Sequence, residues 1–174
     1  MNILITSCSR DVTLIKTFRS ALFNHGGGKV IAADINPMAV ALYFADEYVI
    51  VPRSDDKEFI PFLLKLCKNK KVKLLISSRD AELPILSKNK GLFEELGCRV
   101  MVAQPDTIEI CQDKRLFCQF CEKNGIPVPK VYWDESKVEF PVFIKPVTGA
   151  GSRKIYKINN KKELKNIFAF SLNK

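Results

Sequence analysis

The residues best suited to chemistry form a glycine-rich loop near the carboxyl end of the chain. The loop, 148–153 (T-G-A-G-S-R), follows Lys145, which ends a short apolar segment predicted to be a strand. Its two glycines allow several backbone N–H groups to turn toward one anion, and a lysine beside such a loop is placed to contact phosphate. The segment lacks the G-x-x-x-x-G-K-[ST] order of a P-loop, and it leads into a predicted strand rather than a helix. A phosphate-binding loop and an ordinary glycine hairpin both fit this pattern.

The elements that precede this loop predict an α/β domain. Through about residue 105, apolar β-rich runs alternate with segments in which apolar residues recur at helical spacing. Near-continuous apolar strands separated by amphipathic helices favour a parallel sheet covered on both faces. The predicted strands are 2–7, 29–33, 48–51, 73–77 and 99–103. The predicted helices are 11–24, 37–44, one capped by Ser54-Asp55-Asp56, and one from Asp80 that Gly97 stops.

The rest of the chain has a different pattern. Helices are predicted over 106–110 and 113–124, and the proline-rich segment 125–129 (G-I-P-V-P) serves as a linker. Short strands are predicted at 130–132, 141–145 and 154–158, and Asn159-Asn160 caps a last helix. The order of strand, glycine-rich loop, strand and helix is that of the beginning of an α+β lobe.

The charge and the hydropathy exclude several classes of function. The chain has 174 residues, with 28 Lys and Arg against 19 Asp and Glu, which gives a formal net charge of +9. The basic residues are spread along the chain and no basic stripe alternates with aromatic residues, so we predict no nucleic-acid partner. No apolar run approaches the roughly 20 residues of a membrane span, so we predict no membrane partner.

Six cysteines raise the questions of compartment and metal. The sequence shows no export signal, so we predict a cytoplasmic protein with reduced thiols. Cys118 and Cys121 form a C-x-x-C with Cys111 nearby, but a zinc or iron–sulfur site needs further ligands, and His25 is distant in sequence. Cys121 shares an apolar face with Phe117, so we predict a core cysteine there and no metal site in this chain.

Polar residues follow the predicted strands at the edge where ligands of open α/β sheets bind. Arg10 and Arg79 could hold a carboxylate there, although surface arginines or helix-entry contacts are equally open. An acidic residue after the second strand also fits an NAD site, but no G-x-G-x-x-G follows the first strand, which disfavours a dinucleotide-binding domain. The candidates on the substrate side are Ser9, Arg10, Asp34, Asn36, Arg79 and Asp80, of which Asp80 could instead cap its helix.

Five segments in order carry a resemblance to a known family. They are N-I-L-I-T-S-C-S-R, then V-I-A-A-D-I-N-P with A-L-Y-F-A-D-E-Y, then L-L-I-S-S-R-D-A-E-L-P-I-L, then C-Q-D-K-R-L-F with N-G-I-P-V-P-K, and finally F-P-V-F-I-K-P-V-T-G-A-G-S-R-K-I-Y. Together they resemble the ATP-grasp superfamily, in particular proteins similar to the large subunit of carbamoyl-phosphate synthase. The resemblance implies a Rossmann-like pre-ATP-grasp domain over 1–105, a helical linker over 106–129, and a truncated beginning of the ATP-grasp lobe over 130–174.

The same resemblance implies an ATP site. Lys114, in the D-K pair, matches the first ATP-contacting basic residue, and Lys145, in I-K-P, matches the second, which reaches the phosphates. Thr148 and Gly149-Ala150-Gly151-Ser152-Arg153 match the flexible loop that closes over the β- and γ-phosphates. Two cations and a ring of N–H donors offset the charge of a triphosphate. A helix-surface lysine is the ordinary alternative for Lys114.

The family reaction sets the expectation for function. It uses ATP to phosphorylate a carboxylate, and an amine or related nucleophile then attacks the acyl phosphate. In the family, a later part of the lobe supplies the adenine-binding strand and the ligands of Mg²⁺; after Lys145 the only acidic residue here is Glu163. We therefore expect the chain as given not to complete the reaction. The alternative is a non-catalytic remnant or a split-gene subunit that needs a partner chain or a second copy.

Overall fold

The computed structural model of the protein describes residues 1–149 and 151–172, with side chains to residue 167. The chain divides into two compact units, Met1–Ile108 and Glu109–Lys174. Within the described residues, no helix combines the length and the apolar character that crossing a membrane requires.

The first unit contains a five-stranded sheet that confirms the predicted α/β class. All neighbouring strands are parallel, and the order is β3-β2-β1-β4-β5. The strands are β1 Asn2–Thr6, β2 Val30–Asp34, β3 Glu47–Ile50, β4 Val72–Ser77 and β5 Arg99–Val100. The chain leaves β1 toward β2 and leaves β4 toward β5, which lie on opposite sides of the central β1–β4 pair. Parallel sheets bind ligands in the crevice that forms at such a point.

Helices cover both faces of this sheet. The helices are α1 Val12–Asn24, α2 Phe59–Asn69, α3 Leu83–Lys88 and α4 Lys90–Glu95, and α5 Pro105–Gln112 continues from the first unit into the second. Because side chains alternate along a strand, Leu4 and Ile5 point to opposite faces, and both are fully buried. Leu4 belongs to the core that Phe59 of α2 and Phe93 of α4 complete, whereas Ile5 packs in the core that contains Ile15 of α1. Each such side chain stabilises the fold by about 1.5–3 kcal/mol.

The predicted cap of α2 is wrong. The sequence placed the cap at residues 54–56, but α2 begins at Phe59. Asp55 instead pairs with Arg53 at 2.9 Å, and Asp56 Oδ1 accepts the Glu58 N–H at 2.9 Å. These carboxylates therefore stabilise a turn before the helix, a use for which Asp is as well suited as for capping.

Three other boundaries differ because local hydrogen bonds compete with the regular element. A 3₁₀ helix, Val40–Phe44, replaces the helix expected from Pro37, since Asn36 Oδ1 accepts the Met38 N–H at 2.9 Å in a turn. The helix expected from Asp80 to Leu96 is split into a 3₁₀ turn, Asp80–Glu82, and two helices, since the Asn89 amide donates to Ile85 O at 2.8 Å. The last strand, β5, ends at Val100, whose carbonyl accepts the Val102 N–H at 3.0 Å.

The second unit contains α6 Lys114–Lys123, a short 3₁₀ turn Glu135–Lys137, and α7 Lys161–Leu172 beside an antiparallel hairpin. The hairpin pairs β6 Val142–Ile144 with β7 Tyr156–Ile158, as the sequence predicted. Asn160 Oδ1 accepts the Glu163 N–H at 3.0 Å, and Glu163 accepts the Asn159 N–H at 2.9 Å, which together cap α7. The strand predicted at 130–132 is not formed; Lys130 pairs instead with Glu139 at 2.7 Å.

Candidate functional site: a lysine that holds a glycine-rich loop

The start of α6 fixes the position of Lys114. The Asp113 carboxylate caps the helix, since its Oδ1 accepts the backbone N–H groups of Arg115 at 2.8 Å and Leu116 at 3.2 Å. The Arg115 guanidinium also hydrogen-bonds this carboxylate at 3.0 Å, and these donors lower the pKa of Asp113 to about 2. Lys114 is therefore the first residue of a well-capped helix, and its backbone has little freedom to move.

Lys114 contacts the glycine-rich segment through both its backbone and its side chain. Its backbone N–H donates to Val147 O at 3.0 Å, and its Nζ donates to Gly149 O at 3.1 Å and to Val147 O at 3.4 Å. Two residues that the sequence singled out separately, Lys114 and Gly149, thus lie in direct contact across 35 positions of the chain. A helix-surface lysine with no role would be expected to point into solvent.

The backbone of the loop is unusual for its residue types. Gly149 and Gly151 have φ of 114° and 72°, which glycine adopts freely, but Ser152 at 54° and Lys154 at 57° adopt the left-handed region at a cost. Consecutive turns of this kind can direct backbone N–H groups toward one anion. Thr148, Gly149, Gly151, Ser152 and Arg153 are all exposed, and Ala150 lies outside the described residues.

Lys145 and Arg153 supply further positive charge on either side of this loop. Lys145 directly follows β6 and is exposed, and it lies two positions before Val147, the residue that Lys114 contacts. In the described part of the chain, no carboxylate pairs with Lys145, Arg153 or Lys114. Cations without carboxylate partners, beside N–H donors, are suited to bind a polyanion.

The first unit presents a second group of candidate residues at the carboxyl edge of its sheet. Asp34 is buried, and its carboxylate accepts the backbone N–H groups of Ser9 at 2.7 Å and Asn36 at 2.9 Å. Ser9 has φ of 45°, so the acceptor also holds a strained turn in place. Asp34 therefore organises the loops after β1 and β2, and its predicted contact with substrate stays a prediction.

Glu82 is a residue that the sequence analysis missed. It is 2% exposed, and its carboxylate accepts hydrogen bonds from Thr6 Oγ1 at 2.5 Å, Ser7 Oγ at 2.5 Å and Ser77 Oγ at 2.6 Å. These three hydroxyls lie at the ends of β1 and β4, so Glu82 ties together the loops on both sides of the crevice. A glutamate in the first turn of a helix normally stabilises the helix dipole, and nothing in its spacing pointed to burial.

Arg79 and Glu82 line a cavity of about 300 Å³ at this edge. Arg79 is exposed, and its guanidinium has no hydrogen-bond partner among the described residues. Guanidinium groups match the geometry of carboxylates and phosphates. Arg10 is also exposed, and Asp80 is the first residue of the 3₁₀ turn. The cavity is lined by Ile35, Arg53, Ser54, Asp55, Arg79, Ala81 and Glu82.

The described residues do not fit a metal ion. They contain no group of three or more His, Cys, Asp or Glu side chains that could hold one. Of the three cysteines that the sequence raised as metal candidates, Cys121 is buried in α6 and Cys111 is exposed.

Comparison with known proteins agrees with the resemblance seen in the sequence. One curated relative is the arginine-specific, mitochondrial large chain of carbamoyl phosphate synthase from Neurospora crassa, which is 27% identical over 74% of this chain and 12% of its own length. Among solved structures, L-amino acid ligase from Bacillus licheniformis has a TM-score of 0.69 at 18% identity, over 97% of this chain and 41% of the ligase. The biotin carboxylase domain of 2-oxoglutarate carboxylase from Hydrogenobacter thermophilus has a TM-score of 0.69 at 20% identity, over 99% of this chain and 40% of that domain.

This chain therefore spans about a tenth of its curated relative and about two fifths of these structural neighbours. At such low identity, the structural neighbours show the fold alone. The family is shown by residues 3–101, which match the N-terminal domain of PylC-like proteins over more than half of the chain. This chain accordingly belongs to the PylC-like family through its N-terminal domain, and the ATP-grasp relationship that its sequence indicated is confirmed.

Proposed function

We propose that this chain provides the phosphate-binding part of an ATP-dependent ligase of the ATP-grasp type. The observation that carries the proposal is the contact between Lys114 and the carbonyls of Val147 and Gly149. It brings a cation from a capped helix to a loop whose backbone suits anion binding. In the reaction proposed, the γ-phosphoryl group passes from ATP to a carboxylate oxygen. A nucleophile such as an amine then attacks the acyl carbon and releases phosphate.

The residues of the second unit would act on the triphosphate. Lys114 Nζ would exchange its two carbonyl partners for phosphate oxygens, which are stronger acceptors because they carry charge. Lys145 would approach from the end of β6, and the N–H groups of Gly149, Gly151 and Ser152 with the Arg153 side chain would cover the phosphates. Three cations and fixed N–H donors would stabilise the charge that moves during phosphoryl transfer.

The first unit would receive the carboxylate substrate. Arg79 offers a guanidinium with no hydrogen-bond partner among the described residues beside a cavity, and Arg10 lies after the neighbouring strand. Asp34 and Glu82 would act by positioning, since both carboxylates hold the loops that carry these residues. Among the remaining candidates, Ser9 and Asn36 offer backbone N–H groups that Asp34 already accepts.

The expectation that magnesium takes part comes from related proteins alone. The Hydrogenobacter domain was solved in complex with MgADP. The described residues form no cluster that could hold the ion. We therefore assign no step of this chain to magnesium, and we propose that its ligands come from polypeptide outside the described residues.

A requirement for further polypeptide is the second candidate, and the hairpin favours it. The sheet of the second unit has two strands, β6 and β7, and Phe143 on it is 67% exposed. Two-stranded sheets are marginally stable alone, and large exposed aromatic side chains mark contact surfaces. We propose that a partner chain, a second copy or a continuation of the polypeptide completes this lobe before catalysis.

The ATP assignment is tested by NMR titration of the labelled chain with millimolar ATP, with and without Mg²⁺. We expect weak binding with shifts concentrated at Lys114 and residues 145–154, and no release of phosphate. Lys145→Ala should weaken the binding at least several-fold, whereas Lys123→Ala, at the far end of α6, should leave it unchanged. Equal affinity in Lys145→Ala, or no shift in this loop, would overturn the phosphate assignment. Phosphate release by the chain alone would instead overturn the need for further polypeptide.

A further inference from the structure

Two buried cysteines lie in contact inside the first unit, away from every residue assigned above. Cys67 lies in the last turn of α2, and Cys98 immediately precedes β5. Their Sγ atoms are 3.9 Å apart, and the side chains belong to the core cluster that contains Phe93. A disulfide requires an S–S distance near 2.0 Å, so the sulfur atoms need to approach by about 2 Å.

Both buried cysteines have exposed neighbours in the sequence. Lys68 follows Cys67 and is exposed, while Gly97 and Arg99 on either side of Cys98 are exposed as well. We expect a small neutral oxidant to reach Cys98 through a local opening of this turn.

The environment distinguishes the two sulfurs. The hydrogen bond with Cys67 lowers the pKa of Cys98, burial opposes this shift, and the positive charge of Lys73 acts in the same direction as the hydrogen bond. The Lys73 ammonium stands over the same turn, since a Cβ added to Gly97 would lie 3.3 Å from its Nζ. For Cys67 the hydrogen bond to Cys98, together with burial, raises the pKa. Because the Lys73 ammonium lies beside this turn and favours a thiolate there, we assign the attack on an oxidant to Cys98.

We propose that Cys67 and Cys98 form a reversible oxidation site that closes to a disulfide with hydrogen peroxide. The Cys98 thiolate attacks one peroxide oxygen, the O–O bond breaks, and the released hydroxide takes up a proton to leave as water. The Cys67 sulfur then attacks the resulting sulfenic acid, the S–O bond breaks, and a second water leaves. Two thiols lose two electrons and the peroxide gains them. The product joins α2 to β5, and a dithiol reductant reverses it.

Peptide mapping of the full chain after treatment with hydrogen peroxide tests this site. Trypsin releases Cys67 in the peptide 66–68 and Cys98 in the peptide 91–99, each with no other cysteine. We expect these peptides to be joined, with a mass two hydrogen atoms below their sum, and to separate on reduction. The thermal midpoint should rise by about 5 °C or more on oxidation, because the bond constrains the unfolded chain.

Variants distinguish the pair from the other thiols. The experiment is repeated in a Cys111→Ser/Cys118→Ser background, which removes the thiols that are not buried, and Cys8→Ser serves as the buried control. Cys67→Ser should abolish the thermal shift, and Cys8→Ser should retain it. If Cys67→Ser does not fold, the peptide map of the background protein decides alone. Oxidation of the exposed Cys111 in the unmutated chain shows that the peroxide treatment has worked. If the Cys67 and Cys98 peptides then stay unjoined, or if Cys98 is over-oxidised without a bond to Cys67, the proposal is overturned.

Discussion

The Nζ atom of Lys114 donates a hydrogen bond to the carbonyl oxygen of Gly149 across 3.1 Å. The contact joins the first turn of a helix to a loop that the sequence places 35 residues later. A lysine held by neutral carbonyls keeps its charge uncompensated, so it remains available to a stronger acceptor. This relationship makes the loop and the helix one site, and it gives a direct test of whether the lysine orders the loop.

Replacing Lys114 by methionine should loosen the loop. The substitution removes the Nζ hydrogen bonds to Val147 and Gly149 and keeps most of the side-chain volume, while the backbone hydrogen bond from Lys114 to Val147 remains. We expect cleavage after Arg153 by an arginine-specific protease to become several-fold faster, because Gly149 loses its side-chain contact with α6. Lys123→Met at the other end of the same helix should cleave at the rate of the unchanged protein. A Lys114→Met rate equal to that of the control would show that the contact does not order the loop.

Removing the Glu82 carboxylate should destabilise the first unit. Glu82→Ala leaves three hydroxyls at the ends of β1 and β4 without their acceptor, and we expect a loss of about 2–3 kcal/mol in the free energy of unfolding. Urea denaturation measures it. The exposed Glu95→Ala should change the same quantity by less than about 0.5 kcal/mol. A similar small effect in Glu82→Ala would mean that water replaces the carboxylate at no cost.

Gly28 should tolerate no side chain, because the backbone of Met1 occupies the space. A Cβ at Gly28 would lie 1.9 Å from Met1 O, and the residue has φ of 137°. We expect Gly28→Ala to lower the free energy of unfolding by about 3 kcal/mol or more, and Gly26→Ala, which has open space but φ of 90°, by about 1 kcal/mol. Thermal melts of the two variants provide the comparison. Equal melting temperatures would contradict the close approach of Met1.

Glu47 should contribute acid-sensitive stability. Its carboxylate lies 2.7 Å from Lys29 and 2.7 Å from Lys70, and these hydrogen-bonded cations lower its pKa from 4.5 to about 2. A lowered pKa means that the stabilisation is complete above pH 4.5 and disappears as the pH falls toward 2. We expect Glu47→Gln to lose about 1 kcal/mol at pH 7 and almost nothing at pH 2.

Denaturation of Glu47→Gln and the unchanged protein in parallel across this range isolates the effect from other carboxylates. The difference between the two proteins should shrink only below pH 4.5. A difference that stays constant from pH 7 to pH 2 would show that the ion pairs do not stabilise the fold.

The sequence predicted most of the fold because the elements carry local signals. The alternation of apolar runs and helical spacing gave the α/β class, and Asp11, Asp113 and Asn160 mark helix starts by side-chain chemistry that acts within three residues. The boundaries that were wrong are those where a side chain could serve two local structures equally well. Asp55 and Asp56 could cap a helix or hold a turn, and only the surrounding chain decides between them.

The candidate site divides in the same way. By itself, the sequence determined the family and predicted the glycine loop and the two lysines as site residues, because motif residues keep their order along the chain. The tertiary structure decided which of them meet, since the contact of Lys114 with Gly149 depends on how α6 lies against the segment after β6. It also revealed Glu82, Cys67 and Cys98. The two thiols are 31 residues apart in sequence, and Glu82 is 75 residues from its partner Ser7. Burial and long-range pairing arise only when distant segments pack, and spacing along the chain carries no record of them.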